Sequence, residues 1–293
     1  MRSFLLTDMG SPPVIRLDLN NWQVNGIAIA QKDLGAPQVR EVTYNHASSD
    51  GVDDVTQFFG QRVVSLTGQC FTMPGRSRTQ AWFLLQPFLD PQGRFKLWYA
   101  MDDDVPQHEL RNLRISQWQK MASSPTSFAF QVQWKADPEA HDCEQQSVTM
   151  TSLFTPALGR LYNRNYNLFY PTPVAMPGSG VAYTDGTYKT WPIYRFFGPC
   201  TNPVAQLRLV PNGPIVGQVK VLIQLFAGDM LEIDSQARTV MLGGATGSNR
   251  YNTLDFVNTI WTPMGPGNNY FRFTADAAAA PASMTVLWND AYL

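Results

Sequence analysis

Charge is what this sequence has least of. Asp, Glu, Lys and Arg make up 15% of its 293 residues, against roughly 25% in an average globular protein. A surface so short of charge is often one that other subunits cover. Neither sign is in excess, since 22 basic and 23 acidic residues give a formal net charge of -1. There is thus no basic footprint for sequence-independent phosphate binding. Cysteine is scarce too. Cys70, Cys143 and Cys200 are widely spaced and odd in number, which is not the pattern of a disulfide framework, so they read as free thiols. No apolar run comes near the roughly 18 residues of a membrane helix. The opening MRSFLLTDMG has an apolar run far too short for a signal peptide. These absences lead us to expect a soluble chain, without membrane insertion, folded in a reducing cytoplasm.

What is present is turn-rich and apolar: 21 Gly, 21 Pro, 44% hydrophobic and 12% aromatic residues. This suits a mainly β chain, and its length allows two domains. Ile15, Leu17 and Leu19 share one face of an early strand, and Ile27 and Ile29 resume the pattern after Asn25-Gly26, a strong hairpin signal. Residues 36–45 and 50–71 continue the extended character, with Gly51, Gly60 and Gly68 as punctuation. One helix is predicted. Ser77 is its N-cap and Ala81, Leu84, Leu85, Phe88 and Leu89 recur at helical spacing, until Pro87 ends or kinks it. Asp90 to Gly93 then forms the exit turn. Phe95, Leu97, Tyr99 and Met101 mark a strand, Leu113 and Ile115 another. Phe128, Phe130, Val132 and Trp134 give the cleanest period-two run, stopped at Pro138.

The polar stretch 141–146 marks a domain boundary, giving domains 1–143 and 144–293. The second opens with a strand over 147–154, followed by a long irregular region from Thr155 to Thr187. Its organising stretch is Leu225 to Phe273. Leu231 and Ile233 alternate with Glu232 and Asp234, then Ser235-Gln236 turns into a return strand over 238–242. A Gly-rich loop over 243–249 follows, and a last strand is entered through Pro and Gly. This is a half-buried antiparallel sheet with no nucleophile, metal cluster or phosphate loop inside it.

The candidate sites each have a plainer alternative. Asp102, Asp103 and Asp104 offer clustered oxygens, but without the ligand alternation of a calcium loop they read as a solvated turn. Asp53 and Asp54 read the same way. His141-Asp142-Cys143 holds zinc-compatible residues, yet the only other histidines are His46 and His108, both placed in polar loops, too few for a structural site. The same three histidines could serve a Ser-His-Asp or Cys-His arrangement, but no nucleophile motif accompanies them. The Gly-rich loop lacks the Lys-Ser/Thr pair of a phosphate loop. Trp191 and Trp261 could stack on sugar rings or fill a sandwich core. No cofactor and no catalytic residue is expected.

Taken in order, these features resemble the distal tail proteins of long-tailed bacteriophages with non-contractile tails, the minor tail proteins of actinobacterial phages in particular. The resemblance rests on early strands around Pro13-Val14-Ile15, the lone helix near Ala81–Leu89 and the strand closing on Ala136-Asp137-Pro138. In the second half it rests on Asn202-Pro203, on residues 228–234 and 238–243, and on Trp261-Thr-Pro-Met-Gly-Pro-Gly267-Asn268. It implies an N-terminal β-barrel-like, ring-forming domain with one α-helix, followed by a galectin-like β-sandwich. It further implies a hexameric homo-oligomer joining the tail tube protein to the tail-tip or baseplate hub. The ring would be assembled in the host cytoplasm, reside in the virion tail tip, and leave a channel for DNA passage without specific DNA binding. On that reading Asp53, Asp54 and Asp102 to Asp104 are candidate lumen-facing acidic loops. A carbohydrate-binding module that adheres to a host-surface glycan through Trp191 and Trp261 is the alternative. A tail-associated hydrolase would need a carboxylate pair or nucleophile motif that the sequence lacks.

Overall fold

In the computed structural model, residues 4–10, 13–19, 22–45, 52–100, 108–151, 178–279 and 281–293 are described. The chain divides into two compact units, residues 1–144 with 291–293, and residues 145–290. Both are mainly β.

The first unit is one large antiparallel sheet. Its strands are β1 (Phe4–Asp8), β2 (Arg16–Asp18), β3 (Ile27–Asp33), β4 (Pro37–Asn45), β5 (Val52–Phe71), β6 (Phe95–Tyr99), β7 (His108–Ser123), β8 (Ser127–Ala136) and β9 (Ala140–Asp142). The main order is β2-β1-β6-β7-β8-β5-β3, with β4 also on β5 and β9 on β7. Alternation explains β8: Phe128, Phe130, Val132 and Trp134 are buried, and the residues between them are not. Trp134 is fully enclosed, and its indole Nε1 donates to the Phe88 carbonyl at 3.0 Å.

The Phe88 carbonyl is presented by the 3₁₀ turn that follows the expected helix. In α2 (Arg78–Leu85), Ser77 accepts from the Gln80 backbone N–H while the Gln80 side chain accepts from the Ser77 N–H, a reciprocal capping box. The α-helix stops at Leu85, and Pro87 sits in a 3₁₀ turn, Gln86–Leu89. Asp90 closes the exit by accepting from Gly93 N–H. Trp82 then packs edge-on against Phe128 and Phe130.

Three expectations change here. Among the described residues the first sheet does not close into a barrel: β2 pairs only with β1 and β3 only with β5, so its two ends are not joined. Asn25-Gly26 is not a hairpin turn either. It ends a one-turn helix α1 (Trp22–Asn25), with Gly26 at φ +74 and its N–H donating to the Trp22 carbonyl. Glycine in the left-handed region serves a helix C-terminus as readily as a hairpin. Gly60 and Gly68 do not punctuate the chain, because β5 runs through both. At Gly68 an added Cβ would lie 2.6 Å from the Ala28 carbonyl oxygen and 2.8 Å from the Phe130 ring, so that glycine answers a close approach.

The second unit is a β-sandwich. Its six-stranded sheet has the order β10-β22-β12-β17-β18-β19 and its four-stranded sheet the order β11-β20-β14-β15. The strands are β10 (Gln146–Thr151), β11 (Ser179–Thr184), β12 (Ile193–Phe197), β13 (Cys200–Thr201), β14 (Val204–Arg208), β15 (Ile215–Lys220), β16 (Gln224–Leu225), β17 (Met230–Asp234), β18 (Thr239–Leu242), β19 (Ser248–Asn249), β20 (Gly267–Thr274), β21 (Ala277–Ala278) and β22 (Ser283–Trp288). Tyr194 meets Phe271 and Phe196 meets Phe273 between the two inner faces. The organising stretch therefore serves both layers: β17 and β18 form the expected hairpin in one sheet, and β20 lies at the centre of the other. Asp234 fastens the hairpin turn by accepting from the Gln236 and Ala237 N–H groups. The irregular region hides a strand, β11. Its start, Gly178-Ser179-Gly180, masks the pattern, and Gly180 is there because a Cβ would strike Met150 at 2.8 Å.

The chain finally returns to the first unit. Strand β23 (Ala291–Tyr292) pairs with β9, Ala291 opposite His141 and Tyr292 opposite Ala140.

Candidate functional site

A catalytic reading is tested most directly at the histidines. His108 does not lie in a loop: it opens β7, its Nδ1 2.7 Å from the Asp142 carboxylate. The Tyr292 ring meets the His108 ring edge-on, and its hydroxyl donates to Asp142 at 3.3 Å. His141 is buried, with Glu139 3.8 Å away. Next to them, Glu109 is buried between Lys96 and Arg111.

Cys143 is the nearest nucleophile in sequence. Burial and then the Glu109 and Asp142 carboxylates push its thiol up to about 12, whereas an activated cysteine needs its pKa lowered. The cluster is therefore built to fasten β23 to β9 and β7. Among the described residues no group of three or more His, Cys, Asp and Glu side chains could hold a metal ion. All three cysteines are free. Burial pushes Cys70 up to about 12 and Cys200 up to about 11.

Two surfaces have features that the core does not require. The first is the outer half of β5. Residues 62–71 pair with β8 on one side, and 65–70 with β3 on the other. Below Arg62 the β8 register stops, and among the described residues 52–59 pair with β4 alone. The result is a two-stranded ribbon with a free edge. Isolated ribbons of this kind are marginal in water, and a free edge is a template for pairing with another chain. Val39 and Phe59 are exposed along it. Asp53 and Asp54 do not stand in a loop: they lie in β5, opposite Tyr44 and Thr43, because the β4 register carries the strand past them. Asp102, Asp103, Asp104 and His46 lie outside the described residues.

The second surface is the outward face of the four-stranded sheet. Cross-strand register places Ser179, Arg272, Gln206 and Gln218 in one row and Val181, Tyr270, Arg208 and Ile215 in the next, with Tyr183 and Asn268 beyond. The residues between them, such as Ala182, Phe271, Ala205 and Leu207, point into the core. Arg208 donates to the Gly213 carbonyl and, at 3.1 Å, to the Gln206 side chain. Gln206 donates to Gln218 at 3.2 Å, and Gln218 to the Asn258 carbonyl at 3.0 Å. The Nε atoms of Arg208 and Arg272 are enclosed without a hydrogen-bond partner.

Trp191 and Trp261 are both half-buried. They flank the single bridge between Thr190 and Met264, and Trp261 packs against the sandwich core. Sequence reasoning missed the arginine-bearing face, whose only sequence signal is the polar alternation within β14 and β20.

Residues 185–292 match the family model of the siphovirus-type tail component, C-terminal domain. A search of curated proteins found no match. Among solved structures the chain is similar to the Dit protein of phage SPP1, described as a paradigm of the hub adsorption apparatus in phages infecting Gram-positive bacteria. The TM-score is 0.66 at 13% identity, covering 99% of both chains. It is also similar to a chain of the phage P2 baseplate in its activated conformation, with TM-score 0.52 at 12% identity over 98% of both chains. At such identities the likeness is one of fold, and it spans both units. The resemblance to distal tail proteins thus stands on the domain match and on the full-length fold.

Proposed function

We propose that this chain is a structural subunit of a phage tail tip, forming a hexameric ring that joins the tail tube to the tip hub and leaves a channel for DNA. The observation that carries this reading is the fold likeness to a hub protein over the whole length of both chains. The first domain, 1–143, forms the ring and the second, 144–293, is carried on it. Contacts between subunits use the free edge of the β4–β5 ribbon, which adds a strand to the neighbour's sheet. Repeating one such head-to-tail contact closes a ring. The ribbon strand that holds Asp53 and Asp54 borders the lumen, where negative charge keeps passing DNA from adhering. The neighbours are the tube protein and the hub proteins, and the subunit folds in the host cytoplasm before joining the virion. No catalysis is assigned to it.

The test is to shorten the ribbon by replacing residues 43–55 with an Asn-Gly turn and to measure mass by light scattering. The full chain should assemble into a closed oligomer and the shortened chain should remain monomeric with its sandwich intact. Unchanged assembly of the shortened chain would remove the ribbon from the account.

A further inference from the structure

We infer that the outward face of the four-stranded sheet in the second unit binds an anionic saccharide, one carrying carboxylate or phosphate groups. The argument begins with charge. Arg272 pairs across the sheet with Gln206 on β14, and Arg208 lies two residues further along β14. The two guanidinium groups are therefore diagonal neighbours, with side chains rooted about 7–8 Å apart. Neither arginine-bearing row contains a carboxylate, and in the adjoining outward row of Val204, Thr274 and Lys220 the cation is already paired, Lys220 lying 3.5 Å from Asp255. The sandwich's other outer face handles its arginine differently: Arg195 lies 2.7 Å from Glu232 on the adjacent strand. In a chain with so few charged residues, two neighbouring uncompensated cations are the exception. Each also encloses an Nε–H that no group among the described residues accepts, and enclosed donors of this kind ordinarily have a partner.

The second observation is order. Arg208, Gln206, Gln218 and the Asn258 carbonyl form one directed chain of hydrogen bonds. This chain holds Arg208 in place before any ligand arrives. Arg272 makes no hydrogen bond to the described residues, so its planar fork is available to grip a carboxylate or phosphate with two parallel bonds.

The third is the aromatic pair. Tyr270 stands in the row between Val181 and Arg208, and Tyr183, on the edge strand β11, is 60% exposed. Charge alone would suit an acidic peptide equally. Tyrosines beside side-chain amides on an open sheet suit a ring-bearing polyol, whose C–H face packs on the phenol while its hydroxyls meet the amides.

The test uses the full chain in calorimetric titrations with four polymers: a glycerol-phosphate polymer, polygalacturonate, dextran and poly-aspartate. We expect saturable binding to the phosphate or the carboxylate polymer, the two arms telling which group is read, and none to dextran. R272Q should weaken binding by about tenfold or more, the loss expected for one charge-assisted contact. Y183A, at an exposed position, should also weaken it. R250Q, which removes an exposed positive charge elsewhere, should not. Absence of binding to both anionic saccharides, equal binding of dextran, or R272Q binding as well as the unaltered chain would overturn the inference. Binding of poly-aspartate without either saccharide would also overturn it and assign the face to a protein partner. Light scattering on the same samples reads the ring separately, so either proposal can fail alone.

Discussion

Replacing Gly68 by alanine sets two physical effects against each other. Propensity alone favours the change, since glycine inside a regular element costs about 0.5–1 kcal/mol relative to alanine. The surroundings oppose it. The new methyl would lie 2.6 Å from the Ala28 carbonyl oxygen, a backbone atom in β3, and 2.8 Å from the Phe130 ring. Phe130 is fully enclosed and touches Trp82, so it cannot swing out of the way. Overpacking of this kind costs about 1–3 kcal/mol. The steric term outweighs the gain, and Gly68→Ala should destabilise the first unit by about 1–2 kcal/mol. Gly265 is the control, with nothing within 4 Å of an added Cβ and no positive φ, and Gly265→Ala should be near neutral. The assay is hydrogen exchange of the β5 and β8 amides with urea titration, because two units can unfold in separate transitions. A Gly68→Ala protein as stable as the parent, or more stable, would refute the packing argument.

Three thiols should be found, but slowly. With Cys70 and Cys143 pushed up to about 12 and Cys200 up to about 11, a disulfide reagent at pH 8 should meet almost no thiolate in the native chain and titrate all three in denaturant. Fast reaction of Cys143 in the native state would contradict its assigned surroundings. Acid sensitivity should reside partly in Glu139. Burial pushes its carboxyl up, but the His141 side chain 3.8 Å away, its own backbone and nearby Arg111 bring the net value below the ordinary one. Its contribution is then present above the ordinary carboxylate pKa and lost as pH falls through the lowered folded value. Burial raises neighbouring Asp137, which works the other way, its penalty easing as pH falls. Glu139→Gln should therefore flatten the acid limb of a stability–pH curve, and an unchanged limb would exclude it.

Much of the fold was legible because it rests on short-range pattern. The strand holding Trp134 alternates cleanly since only one of its faces is buried. Ser77 announces its helix as an N-cap, and Ser235-Gln236 announce their turn. The losses have physical reasons. Asn25-Gly26 supplies a left-handed residue that either a hairpin or a helix end can use. Strand β11 is entered through Gly178, held at φ +79 beside the Phe273 carbonyl, and contains Gly180, which leaves space for Met150. The return of Ala291 and Tyr292 to the first unit is too short to carry any period. Arg208 and Arg272 lie far apart in sequence and become neighbours only through the register of β14 and β20. No local pattern could have joined them.

The central claim is assembly, and imaging tests it most directly. Negative-stain electron microscopy of the purified chain should give six-lobed rings with an open centre. A protein that stays monomeric at every concentration, even with its tail partners added, would contradict the account.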